Sequence, residues 1–258
     1  MIKTTPLSEI VAFLNRELEV ERYQDYGYNG LQIEAPATEV TKIAFAVDSG
    51  LSVMQAAVKA KAQLLIVHHG VMWGRLEPVV GAWAKKLHTC LSNDLSLYAS
   101  HLPLDGHIKH GNAAQIATKL LNASTVEPYF EHNGQTIGVI AKLNKPTPIE
   151  QIADQLSRCE GAAERPFTMP FGKLEVATVG IVTGSGTSLV PAAAARGVDL
   201  LITGEPKQES YHVAKELACS VICMGHYASE TFGVRALQSV LQERFGVQTE
   251  WISEPTGI

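Results

Sequence analysis

The chain has 258 residues, of which 46% are hydrophobic and 18% charged, with a formal net charge of −5. That length and composition allow one large or two small folded domains and exclude wholesale disorder. The mild acidic excess gives no bulk attraction to nucleic acid or an anionic membrane, and no apolar run reaches the roughly 18 residues of a membrane-spanning helix.

In chain order, the start Met1-Ile-Lys-Thr-Thr-Pro-Leu-Ser has neither the apolar run of a signal peptide nor that of an anchor. Hydrophobic periodicity predicts a helix over 7–18, a strand over 42–48, a helix over 51–61 and a strand over 64–68. A helix over 80–93, a strand over 96–101 and a helix over 112–121 follow. The polar, turn-rich segment 127–135 reads as a boundary between two domains. Beyond it come a strand over 137–143 and a helix over 148–158, then a long excursion over 160–173 placed to cover a site or meet another subunit. The chain closes with strands over 176–183, 200–203, 221–225 and 249–252, alternating with helices over 188–196, 207–217 and 229–245. Several strands are almost wholly apolar, as when helices cover both faces of a sheet, so the expectation is α/β architecture with mostly parallel sheets flanked by helices. Cys90, Cys159, Cys219 and Cys223 read as free thiols of a reducing cytoplasm, and Cys219-x-x-x-Cys223 lacks the second pair of a zinc site.

An internal repeat organises the chain. A shift of 136 residues lays Ser49-Gly50 on Ser185-Gly186, Ala56-Ala57 on Ala192-Ala193, and Leu64-Leu65-Ile66 on Leu200-Leu201-Ile202. With an offset of 125, His101-Leu-Pro-Leu-Asp105 matches His226-Tyr-Ala-Ser-Glu230. Each copy reads as strand, Ser-Gly turn, Ala-rich helix and strand, so two similar α/β domains are expected, the first over 1–126 and the second over 127–226.

His68-His69, His101 and His226 all stand at carboxyl ends of predicted strands, where open α/β sheets bind ligands. Asp105 and Glu230 each follow a histidine by four residues, a spacing that puts both on one helical face. Neighbouring histidines in an extended strand point to opposite sides, so they serve two ions more readily than one. Four imidazoles and two carboxylates also exceed the three ligands of one catalytic zinc. The constellation therefore reads as a dinuclear site for zinc, iron, manganese, cobalt or nickel, with net positive charge suited to a small anionic substrate. His107 and His110, in the loop after Asp105, read as supporting or substrate-contacting groups, with His107 the candidate for moving protons. His88, His132 and His212 read as surface or helix-face residues. Gly184-Ser-Gly186 reads first as a short turn, and only second as a phosphate cradle built from its backbone amides. No Walker loop, dinucleotide fingerprint or serine-hydrolase elbow is present.

Val67-His-His-Gly70, the His101–Asp105 block with Gly111-Asn112, Gly225-His-Tyr-Ala-Ser-Glu230, and Asp25-Tyr-Gly-Tyr-Asn-Gly-Leu-Gln32 together resemble the GTP cyclohydrolase 1 type 2 homologue family, the Nif-three-like dinuclear metal-binding proteins, in its compact bacterial form. The resemblance implies two similar α/β domains with a dinuclear site between them. It also implies His68, His69, His101, Asp105, His226 and Glu230 as ligands, a toroidal homohexamer, and a chain end, 227–258, that completes the first domain. It further implies hydrolysis of GTP or a related nucleotide-like or phosphorylated molecule. The competing readings are a metal-dependent regulatory or scaffold toroid, binding a protein or nucleic acid, and a metal store. The net charge of −5 favours neither nucleic acid nor a membrane as partner.

Overall fold

A computed structural model of the chain describes residues 3–74 and 78–258. In chain order its first elements are β1 (Thr5–Pro6), α1 (Leu7–Glu17), β2 (Gly30–Ile33), β3 (Glu39–Val40), β4 (Lys42–Asp48), α2 (Leu51–Lys59), β5 (Leu64–His69), α3 (Gly81–Leu91), β6 (Ser96–Ala99) and α4 (Leu102–Asp105). There follow α5 (Asn112–Gln115), β7 (Thr125–His132), β8 (Gln135–Pro148), α6 (Ile149–Ser157), β9 (Phe167–Met169), β10 (Glu175–Ile181), α7 (Val190–Arg196), β11 (Leu200–Thr203), α8 (Gln208–Glu216), β12 (Ser220–Cys223), α9 (His226–Phe245) and β13 (Gln248–Trp251). Two compact units emerge, one of Met1–Leu104 and Val234–Glu254, the other of Asp105–Gly233 and Pro255–Ile258. The stretch 105–126 thus belongs to the second unit.

The first unit is a five-stranded sheet in the order β13-β4-β5-β6-β2. β13, β4, β5 and β6 run parallel, and β2 closes the edge antiparallel to β6. Alternation along β4 sends Ile43 and Phe45 to a core with Ile10 and Leu14 of α1 and Leu237 and Leu241 of α9. Ala44 and Ala46 face the other way, onto Val53, Met54 and Ala57 of α2 and Cys90 of α3. Helices on both faces explain why these strands read as unbroken apolar runs.

The second unit holds a six-stranded sheet in the order β7-β8-β10-β11-β12-β9. Only β10, β11 and β12 are parallel to one another; β8, β7 and β9 pair antiparallel. This sheet is mixed rather than mostly parallel, because segment 127–135 is not a boundary but most of β7 and the turn of its hairpin with β8. β7 escapes periodicity because it is an edge strand that buries only Phe130 and tolerates Pro128. Within the 160–173 excursion lies β9, three residues long. The helix expected over 112–121 is one α-helical turn, α5, continued by a π-helical stretch Ile116–Leu120. α9 starts at His226, three residues before the position read from periodicity, while β6 and β12 stop at Ala99 and Cys223. His101 and His226 therefore sit where strand gives way to helix, not within strands.

The four cysteines form no disulfide. Burial pushes the Cys219 thiol up to about 11 and Cys223 to about 12, which makes both inert core residues. Among the described residues no helix is long and apolar enough to cross a membrane.

Candidate metal centre

β6 ends at Ala99, opposite Val67 of β5, so His68 and His69 run on past the end of their neighbour. The pleat alone would separate their rings; here the centroids lie 4.7 Å apart. His101 follows one residue beyond Ser100, and one nitrogen from each of His68, His69 and His101 falls within 4.8 Å of the others. In each ring, Nδ1 is already engaged. His68 Nδ1 lies 2.9 Å from the Ser100 carbonyl, which only accepts, so this nitrogen carries the proton and Nε2 the lone pair. His69 Nδ1 lies 2.8 Å from Asp48, its cross-strand neighbour on β4. His101 Nδ1 lies 2.9 Å from Asp25 Oδ1.

The segment Asp25–Gln32 builds this arrangement. Asp25 also accepts from the Asn29 amide at 2.9 Å and the Leu102 N–H at 3.0 Å. Asn29 Oδ1 in turn accepts the His101 N–H at 2.7 Å. Burial would raise the Asp25 carboxyl, but the His101 hydrogen bond and charge, with Asn29 and Leu102, outweigh it and hold the group well below the usual carboxylate range. Gln32 Oε1 accepts from the Val71 and Met72 amides at 2.7 and 3.3 Å, clamping the turn after the histidine pair. Gly70 makes room for that clamp, since a Cβ there would lie 2.3 Å from the Gln32 amide.

In the second unit, Asp105 Oδ1 accepts from Asn112 Nδ2 at 2.9 Å and Thr183 Oγ1 at 3.0 Å. His226 opens α9 and Glu230 stands one turn on, with His226 Nε2 3.3 Å from Glu230 Oε2. His226 Nδ1 lies 3.0 Å from Glu205 Oε2, the same tether as in the first unit. Ligand atoms of Asp105 and Glu230 lie within 4.8 Å of each other. The hydrogen bond and charge of Glu230, reinforced by Glu205, raise His226 to about 9 against the effect of burial. A cation binding there must displace that proton. Gly184, at φ +61°, brings its backbone close against both groups: a Cβ there would lie 2.5 Å from Glu230 Oε1 and 3.2 Å from His226 Nε2. Imidazoles tethered through Nδ1, beside fixed carboxylates, are the donor chemistry that divalent transition metals take, so these residues fit the metals that the resemblance implies.

Other expectations fare differently. His107 Nδ1 accepts the Lys109 and His110 amides at 3.2 and 2.9 Å, and its ring stacks on His110. The Gly184-Ser-Gly186 turn spends its amides internally: Gly184 N donates to Ser229 Oγ and Gly186 N to Thr203 Oγ1, so neither amide is available to a phosphate. His88 bonds Ser92 along its helix, and His212 is exposed. The sequence reading missed the tethers Asp48, Glu205 and Thr183. The 136-residue shift that aligns the Ser-Gly turns also lays His69 on Glu205, and that was the available signal for it.

The family model described as Duf34/NIF3 (NGG1p interacting factor 3) matches residues 5–256. A relative from Pyrococcus horikoshii, named GTP cyclohydrolase 1 type 2 homolog, is 45% identical, covering 97% of this chain and 98% of its own. One of the same name from Archaeoglobus fulgidus is 42% identical over 98% and 99%. The crystal structure of TTHA1606 from Thermus thermophilus superposes with a TM-score of 0.89 at 36% identity, covering 98% of this chain and all of the other.

Proposed function

The chain belongs to the Duf34/NIF3 family, and on that premise we propose that it is a metal-dependent hydrolase binding two divalent ions through His68, His69, His101, Asp105, His226 and Glu230. The observation that carries this reading is the common tether: each of the four histidines has Nδ1 on a carbonyl or carboxylate. Metal-ligating imidazoles are typically oriented in this way. The substrate class is a nucleotide-like or phosphorylated small anion, in keeping with the name its relatives carry, GTP cyclohydrolase 1 type 2 homolog.

When bound, the ions would supply Lewis acidity, polarising the electrophile and making water a competent nucleophile at neutral pH. The chain's own groups do the positioning. Asp25, Asp48 and Glu205 hold their imidazoles in one orientation and raise their basicity as donors. Asn112 and Thr183 fix the plane of Asp105. His107, whose Nδ1 accepts from two amides, carries its hydrogen on Nε2 and can offer a hydrogen bond from there. We place the protein in the cytoplasm, where its four thiols stay reduced, as a homohexameric ring.

A second reading, a metal-dependent regulatory or scaffold ring, draws on Tyr26 and Tyr28, 68% and 65% exposed, which are the kind of side chain that anchors a protein partner. Elemental analysis of the purified protein, then a metal-reconstituted screen against GTP, other nucleotides and phosphodiesters, separates the two. The hydrolase reading expects about two ions per chain, and Asp105→Ala losing both metal and activity. Full turnover by metal-free protein would overturn it.

A further inference from the structure

Trp73 stands beside the first unit's histidines. Its indole centroid is 5.3 Å from the His101 ring, edge to face at 79°, and 6.0 Å from the His69 ring. Three contacts fix the indole. Its Nε1–H donates to the Gly70 carbonyl at 2.9 Å, immediately after the histidine pair. Its backbone forms an antiparallel bridge with Gly27, supported by the Tyr28 N–H donating to the Met72 carbonyl at 3.1 Å. The six-membered ring then abuts Gly27, where a Cβ would fall 3.0 Å from Cζ3 and 3.1 Å from Cε3. Gly27 therefore permits the close approach, and its chain neighbours Asp25 and Asn29 are the residues that orient His101.

A tryptophan held this firmly would ordinarily be serving a core, with the ring covered. Trp73 instead remains 42% exposed. A fixed, partly exposed tryptophan bordering convergent polar groups is what recognition of a planar ring requires. Stacking on it costs little ordering entropy, because the indole is already fixed. Every nucleobase has a π-face, so such a surface accepts bases irrespective of their hydrogen-bonding edges.

We propose that Trp73 is a substrate-positioning residue that stacks on the base of a nucleotide, setting a purine or pyrimidine ring against the indole with the reacting group at the histidines. The inference rests on the hydrolase reading and narrows it. The substrate class becomes base-bearing nucleotides, not phosphorylated sugars or other non-aromatic phosphate esters.

The test uses the metal-reconstituted full chain with GTP, and with inorganic triphosphate and ribose 5-phosphate as base-free probes. Trp73→Ala should weaken GTP binding in calorimetry by roughly 5- to 150-fold, and Trp73→Phe by no more than about threefold, since a ring remains. Binding of the base-free probes should be unchanged in both. GTP should quench wild-type tryptophan fluorescence, and the Trp73→Phe protein, which keeps Trp83 and Trp251, should lose that quenching. Metal content, measured alongside, must equal wild type, so that a damaged site is not taken for lost stacking. Equal GTP affinity in Trp73→Ala and wild type would overturn the inference. So would an equal loss for GTP and triphosphate, or a change in oligomeric state with base discrimination intact. Failure of the parent reading looks different. If GTP binds through Trp73 but nothing is hydrolysed, the hydrolase reading falls and stacking stands. If only non-aromatic esters are bound and hydrolysed, stacking falls and the hydrolase reading stands.

Discussion

Replacing Asp25 by Asn tests whether the tethers behind the histidines govern metal binding. The change keeps the side chain's size and removes its charge. In the native protein the carboxylate takes up His101 Nδ1–H at 2.9 Å, the Asn29 amide at 2.9 Å, the Leu102 N–H at 3.0 Å and the Gly27 N–H at 3.3 Å. All four partners are donors. An introduced amide has one oxygen to offer, so its NH2 must face at least one donor in a buried place. Leaving one buried donor unmet costs about 1–3 kcal/mol. Loss of an anion behind a ligating imidazole typically weakens metal affinity by about 10- to 100-fold. The expected result is thus a protein less stable by roughly 2 kcal/mol, binding metal at least about tenfold more weakly. Chelator competition, with thermal melts of the metal-free protein, measures the two effects separately. A variant that melts with wild type and holds metal within about twofold of wild type would refute the reasoning, since it would show that His101 is oriented by something other than Asp25.

Two further changes probe different physics. Gly184→Ala places a Cβ 2.5 Å from Glu230 Oε1 at a backbone φ of +61°. It should strip metal from the His226–Glu230 pair while costing only about 1–2 kcal/mol of fold stability from the left-handed backbone; unchanged metal stoichiometry would count against the role given to that close approach. Asp199 accepts the Ala177 and Thr178 amides at 3.0 Å each and pairs with Lys173 at 2.6 Å. Burial pushes its carboxyl up, but the Lys173 hydrogen bond and the two amides outweigh it and lower the group below its ordinary value of 3.8. A lowered native value means the stabilisation is complete above the unfolded value and fades as pH falls through the native one. Lys173 is largely exposed, so most of the effect belongs to the amides. Asp199→Asn, whose amide oxygen still accepts both N–H groups but without the charge, should therefore melt about 2–4 °C below wild type at pH 7, with the gap closing below about pH 4. A gap that stays constant with pH would contradict the assignment.

Much of this molecule is legible in one dimension. β4 and β11 can be read from their apolar runs to the residue, because strands covered on both faces admit almost nothing else. The metal-type donors stand out because histidine pairs and His-x-x-x-acid spacings at strand ends are chemically unusual wherever they point. Edge strands do not announce themselves: β7 buries one residue of eight, and β9 has only three. The tethers are less visible still. Asp25 lies 76 residues from His101, and Asp48 and Glu205 each lie 21 from the histidine they hold. Local sequence decides which side chains can donate to a metal, because that is a property of the residue and its element. Only tertiary structure decides which nitrogen each ring turns toward its neighbouring donors, because orientation comes from a hydrogen bond whose partner belongs to another strand or loop.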